Sequence, residues 1–130
     1  MSDDLDDDLR VAFHQSWDAI EEFYREELLT KDHWRWLSPI IPLLQQLRAA
    51  GYDQVLRAGQ SIHRFGLSRS RRHGLRNDQP SVWIEPYPDG TMLVAMQLDG
   101  QLQSEVILPQ IRLCSELAAI LDDLKREPIT

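Results

Sequence analysis

The hydrophobic period of this chain changes at Gly51 and changes back after Pro109. A period of about 3.6 residues builds one apolar face on a helix, and a period of two builds one on a strand. These two switches constrain the fold more than any single residue does.

Before the first switch, Leu5, Leu9, Phe13, Trp17, Ile20, Phe23, Tyr24 and Leu28 line a broad helical face. Asp7, Asp18, Glu21, Glu22, Arg25 and Glu26 fall opposite. Ser2 followed by Asp3 and Asp4 predicts the helix start, with a capping hydroxyl and then acids at the positive end of the dipole. Thr30 to Ser38 reads as a break containing Trp34 and Trp36. Ser38-Pro39 restarts a helix, Pro42 blurs its first turn, and Gly51 stops it after Ala50.

Between the switches, four strands are expected. Ile62 to Ser68 and Ser81 to Tyr87 both alternate, and Pro86 marks the end or edge of the second. Pro88-Asp89-Gly90 predicts a turn with positive φ at Gly90. Met92, Val94, Met96 and Leu98 then make one face of a third strand, Asp99-Gly100 a hairpin, and Leu102 to Leu108 a fourth strand. Ile111 to Leu124 returns to helical spacing, with Cys114 among its apolar positions. The expected order is α-α-β-β-β-β-α. This is an α+β fold of two N-terminal helices, a four-stranded, largely antiparallel sheet and a C-terminal helix packed on it, in a single domain over residues 1–130.

Charge is unevenly distributed along this frame. The chain has 130 residues and a formal net charge of −7. Eleven of its acids lie between Met1 and Asp32, and none lies between Gln54 and Asn77. That acid-free stretch carries six arginines (Arg57, Arg64, Arg69, Arg71, Arg72 and Arg76) with His63 and His73. One segment can attract anions while the molecule as a whole repels them, which argues against general nucleic-acid coating or anionic-membrane binding but leaves room for a local basic site.

The connection from Ser68 to Asn77 is long for a link between neighbouring strands. Its arginines suit phosphate or carboxylate, because the planar guanidinium donates parallel hydrogen bonds. Arg69, Arg71, Arg72, His73 and Arg76 are therefore taken as an anion- or partner-binding set; the alternative is a solvated loop paired weakly with the acids of the first helix. Trp34 and Trp36 form a second set. Tryptophan anchors partner proteins at hot spots, though it also caps cores with its N–H turned to water. Trp83, Leu93 and Ile107 occupy the alternate strand positions, so the second face of the sheet is partly apolar and a homodimer through the sheet is one expectation.

Catalytic patterns are poor. His14, His33, His63 and His73 lack a metal-ligand spacing, and no G-x-S-x-G, P-loop or G-x-G-x-x-G occurs. No catalytic residue, metal or cofactor is expected. Cys114 is the only cysteine and reads as a small buried apolar residue. No stretch reaches the length needed to span a bilayer. The acidic start from Met1 to Asp8 lacks the positive head of a signal peptide, so a cytoplasmic protein is expected. The leading expectation is a non-enzymatic protein-interaction module of the adaptor, small-chaperone or inhibitor type. An RNA- or DNA-binding module using the same arginines comes next, followed by a small enzyme acting on an anionic substrate.

Overall fold

A computed structural model describes residues 6–72 and 78–130. Helix α1 runs Asp7–Thr30 and α2 runs Ile40–Ala49, joined by a 3-10 turn over Asp32–Leu37. Five strands follow: β1 (Arg57–Ser61), β2 (Arg64–Ser68), β3 (Ser81–Pro86), β4 (Met92–Leu98) and β5 (Gln101–Leu108). Helix α3 (Ser115–Leu124) closes the order. The sheet is an antiparallel meander in the order β1-β2-β3-β4-β5. The α+β class and the flanking helices are those expected, but the sheet has five strands, not four.

The additional strand is β1. Its sequence, Arg-Ala-Gly-Gln-Ser, has no alternation of large apolar residues, so a reading of period two passes over it. Ile62, expected inside a strand, instead occupies the β1–β2 turn with φ 56°.

Helix α1 starts later than Ser2. Asp6 is its cap, accepting the Leu9 N–H at 2.8 Å, with Asp7 and Asp8 in the first turn; Ser2 lies outside the described residues. Pro42 sits in the first turn of α2, where its missing N–H costs no helical bond. Gly51 takes φ 91°, the left-handed stop expected after that helix. Both predicted turns form: Gly90 has φ 89°, while Asp99 and Gly100 have φ 55° and 72°. The last helix starts at Ser115, not Ile111, and Cys114 is a half-buried residue at its cap. Ahead of it, the Leu113 N–H donates to Gln46 Oε1 at 2.8 Å, tying this non-helical segment to α2.

The helices share one face of the sheet. Trp17, Ile20 and Tyr24 from α1, Leu43, Leu44 and Leu47 from α2, and Leu117 and Leu121 from α3 meet Phe65, Leu67, Val82, Ile84 and Val94 in one buried cluster. Trp17 also donates its indole N–H to the Leu56 carbonyl at 2.9 Å, so its polar atom is satisfied inside the core. A smaller cluster of Leu9, Phe13 and Ile129 packs the C-terminal tail on the start of α1.

Candidate functional site

The acid-free stretch does not act as one loop. Its arginines divide between buried positions and exposed ones. Arg69 is 7% exposed and donates from Nε to the Glu127 carbonyl (3.0 Å) and from Nη1 to the Val55 carbonyl (2.6 Å). Its guanidinium thus holds the C-terminal tail against the segment leading into the sheet. Arg57 is equally buried, donating to the carbonyls of Ser70 (2.9 Å) and Arg71 (3.0 Å) and lying over the Phe13 ring at 5.2 Å. Desolvation lowers its pKa, because no carboxylate among the described residues pairs with it. Arg71 and Arg72 are exposed, and their side chains form no ion pair among the described residues. The Arg71 N–H donates to the Thr130 carbonyl at 2.9 Å, fixing the backbone beneath both. His73 and Arg76 lie outside the described residues.

Arg57, Arg71 and Arg72 meet at one end of a groove of about 850 Å³ between α1 and β1. Ala12, Ser16, Ala19 and Phe23 line its helical wall at i, i+4, i+7 and i+11, one stripe of α1. Ala58, Gly59 and Gln60 of β1 line the other. No acid is among the described lining residues, although the chain has 21 acids and 14 lysines and arginines. A second hollow of about 480 Å³ shares Phe23 and Gln60 with it and continues along α1 to Glu27, Lys31, Trp34 and Ile62.

The tryptophan set meets the β1–β2 turn there. Trp34 is buried and Trp36 half-buried, and both present T-shaped contacts to His63, with centroids 4.7 and 5.3 Å away. Phe23 and Lys31 complete the surround of Trp34. The clasp leaves Ile62 63% exposed at the tip. A β-branched residue at positive φ is a genuine conformational outlier, and such strain clusters where a surface has a task. Sequence reasoning missed Ile62, since nothing in its neighbourhood signals a turn.

The acids of α1 do not pair with the arginine segment among the described residues. Arg48 of α2 holds two of them together with Asp53, donating to Asp18 Oδ1 (2.6 Å), Glu21 Oε1 (3.3 Å) and Asp53 Oδ2 (3.4 Å). Desolvation pulls the Arg48 pKa down, but the bond to Asp18 and the charges of Asp18, Asp53 and Glu21 outweigh it and the net shift is upward. His14 Nδ1 lies 2.9 Å from the same Asp53 oxygen, and its Nε2 3.3 Å from Arg48 Nη2. Both ring nitrogens are engaged within the network, so this Asp–His pair does not present a free base. Asp53 Oδ1 is buried without a hydrogen-bond partner.

The outer face of the sheet carries Trp83, half-buried beneath the Arg64 guanidinium at 4.6 Å. Its far edge, β5, is exposed along most of its length, with Leu102 and Ile107 open to solvent. No helix among the described residues is long and apolar enough to cross a membrane. No group of three or more His, Cys, Asp or Glu among them is placed to hold a metal ion. The chain matches no protein-family model, no curated protein and no solved structure.

Proposed function

We propose that this chain is a non-enzymatic protein-interaction module, of the adaptor, small-chaperone or inhibitor type. Its contact surface is the α1–β1 groove with Arg71 and Arg72 at one end and the Trp34–Trp36–Ile62 tip at the other. The observation that carries this reading is the pairing of a long groove with cations that have no counter-ions among its described lining residues. The strained, protruding Ile62 adds an apolar anchor of the kind that partners bury. A cytoplasmic setting belongs to the same reading.

Nucleic acid is the second reading, favoured by the exposure of Arg71 and Arg72 alone. The groove offers single strands little to stack on, since Phe23 is the only aromatic ring among its described lining residues and is half-buried. An enzyme acting on an anion is weaker still. That reading needs His63 or His73 beside the arginines, and His63 is clasped by two tryptophans at the opposite end of β1 from Arg57.

Arg71→Glu with Arg72→Glu separates these readings. The double variant should keep the wild-type unfolding midpoint and lose partner capture. Labelled RNA and single-stranded DNA should bind neither protein at about 50 or 200 mM salt; affinity that falls steeply across that range would replace the protein reading with the nucleic-acid one.

A further inference from the structure

Resting on the interaction reading above, we propose that the groove takes an extended acidic peptide, which adds to β1 as a further strand. Its carboxylate side chains meet Arg57, Arg71 and Arg72, and its apolar side chains lie over Ala19 and Phe23.

The edge of the sheet sets the backbone chemistry. β1 ends the strand order, so one side of it has no partner strand among the described residues. Its Ala58 N–H donates to Ser16 Oγ of α1 at 2.9 Å and therefore points away from β2. That phase makes Ala58–Leu67 a non-hydrogen-bonded pair, and by alternation Gln60–Phe65 is another. The Gln60 N–H and C=O consequently face the groove, and so does the Ala58 carbonyl. A peptide backbone supplies the complementary donor and acceptors at strand spacing. Ser16 occupies the remaining group and limits how far an incoming strand can pair.

The walls set length and size. The helical stripe from Ala12 to Phe23 spans about 16 Å, the length of about five extended residues. Ala12, Ser16 and Ala19 keep that wall shallow, leaving room for a backbone beside β1.

The charge sets composition. Arg57 is buried and hydrogen-bonded to neutral carbonyls, and none of Arg57, Arg71 and Arg72 has an ion pair among the described residues. A carboxylate at that end compensates a desolvated cation, and hydrogen bonds to charged groups are the stronger class. A lysine there would face three guanidinium groups.

The test uses short fluorescein-labelled peptides with two acids at one end followed by alternating Val and Thr, beside counterparts with Lys in place of the acids. Anisotropy should show binding of the acidic peptides alone. Ala19→Trp fills the groove from an exposed helix position and should weaken binding more than tenfold. Gln60→Pro removes an outward N–H while leaving the β1–β2 ladder bonds in place, and should weaken it about fivefold. A peptide with proline opposite Gln60 tests the same bond without altering the protein. Equal binding to the wild type and Ala19→Trp would move the peptide elsewhere and overturn the proposal. Absence of peptide binding also overturns it; if Arg71→Glu with Arg72→Glu still reduces capture of a whole partner, the interaction reading survives, and if not, both fall. Displacement of bound peptide by inorganic phosphate alone, with no sensitivity to Gln60→Pro, would reduce the groove to a small-anion site.

Discussion

Arg69 Nε donates to the backbone carbonyl of Glu127 at 3.0 Å, joining residues 58 positions apart. The same guanidinium reaches the Val55 carbonyl, so one buried side chain ties the tail to the segment leading into β1. Arg69→Met leaves both carbonyls without that donor and removes two charge-assisted bonds. Urea unfolding should show a loss of about 2–4 kcal/mol, with the m-value unchanged.

Ile62 pays in strain for its exposure at the hairpin tip. Ile62→Gly relaxes the positive φ and should raise stability by about 1 kcal/mol despite glycine's greater freedom in the unfolded chain. It also removes the protruding side chain, so partner capture should weaken. A gain in the unfolding midpoint with unchanged capture would restrict the tip to a structural role.

The Tyr52 hydroxyl donates to Asp122 Oδ1 at 2.9 Å and links the turn between α2 and β1 to α3. Desolvation first, then the bond and charge of Asp122, push its pKa up to about 12 from an ordinary 10.0. The folded state therefore holds this proton more tightly than the unfolded chain. Its contribution is complete below pH 10 and is lost as pH rises toward 12. Thermal melts across that range should show an alkaline decline that Tyr52→Phe reduces.

Arg48 is the cation common to Asp18, Glu21 and Asp53, and Asp53 is buried. Arg48→Met leaves a desolvated carboxylate with His14 as its nearest base. Removing one partner of such a network is costly, and unfolding free energy should fall by about 2–4 kcal/mol. Asp53→Asn in the same background should recover part of that loss, measured as a double-mutant cycle.

The dimer expectation rests on the second face of the sheet, and Ile107, exposed on β5, offers a test of it. Ile107→Lys should shift sedimentation toward the monomer if a second copy pairs there, because edge lysines oppose strand addition. A wild type that sediments as a monomer at all concentrations would remove the dimer from the reading.

What could be read in advance follows from how locally each feature is determined. The turns at Gly90 and Asp99-Gly100 were legible because positive φ restricts the residues that can occupy them. The inward faces of β2 to β4 were legible because Phe65, Leu67, Val82, Ile84, Met92 and Val94 alternate. β1 was not, since Ala58 is its only apolar side chain and its neighbours are set by contact with α1. Arginine clustering was visible, but the fate of each side chain was not. Arg57 and Arg69 turn inward because backbone carbonyls from residues 55, 70, 71 and 127 converge on them, and no pattern along the chain announces that convergence. Trp34 and Trp36 stood out as a pair, whereas their contact with His63 depends on a hairpin whose turn residue runs against propensity. Arg48 carried no signal at all, being a lone base on α2 whose acids come from other elements.

The backbone bond from Arg71 to Thr130, with Gln79 also holding Thr130, gives the molecule a vectorial dependence. During synthesis, α1, α2 and the five strands emerge before the residues that seat the arginine segment. Until 127–130 have left the ribosome, Arg69 lacks its bond to Glu127 and Arg71 its bond to Thr130, and the cationic end of the groove lacks its tie to the tail. A nascent chain stalled short of that point could already hold most of its core and still present an unfinished surface.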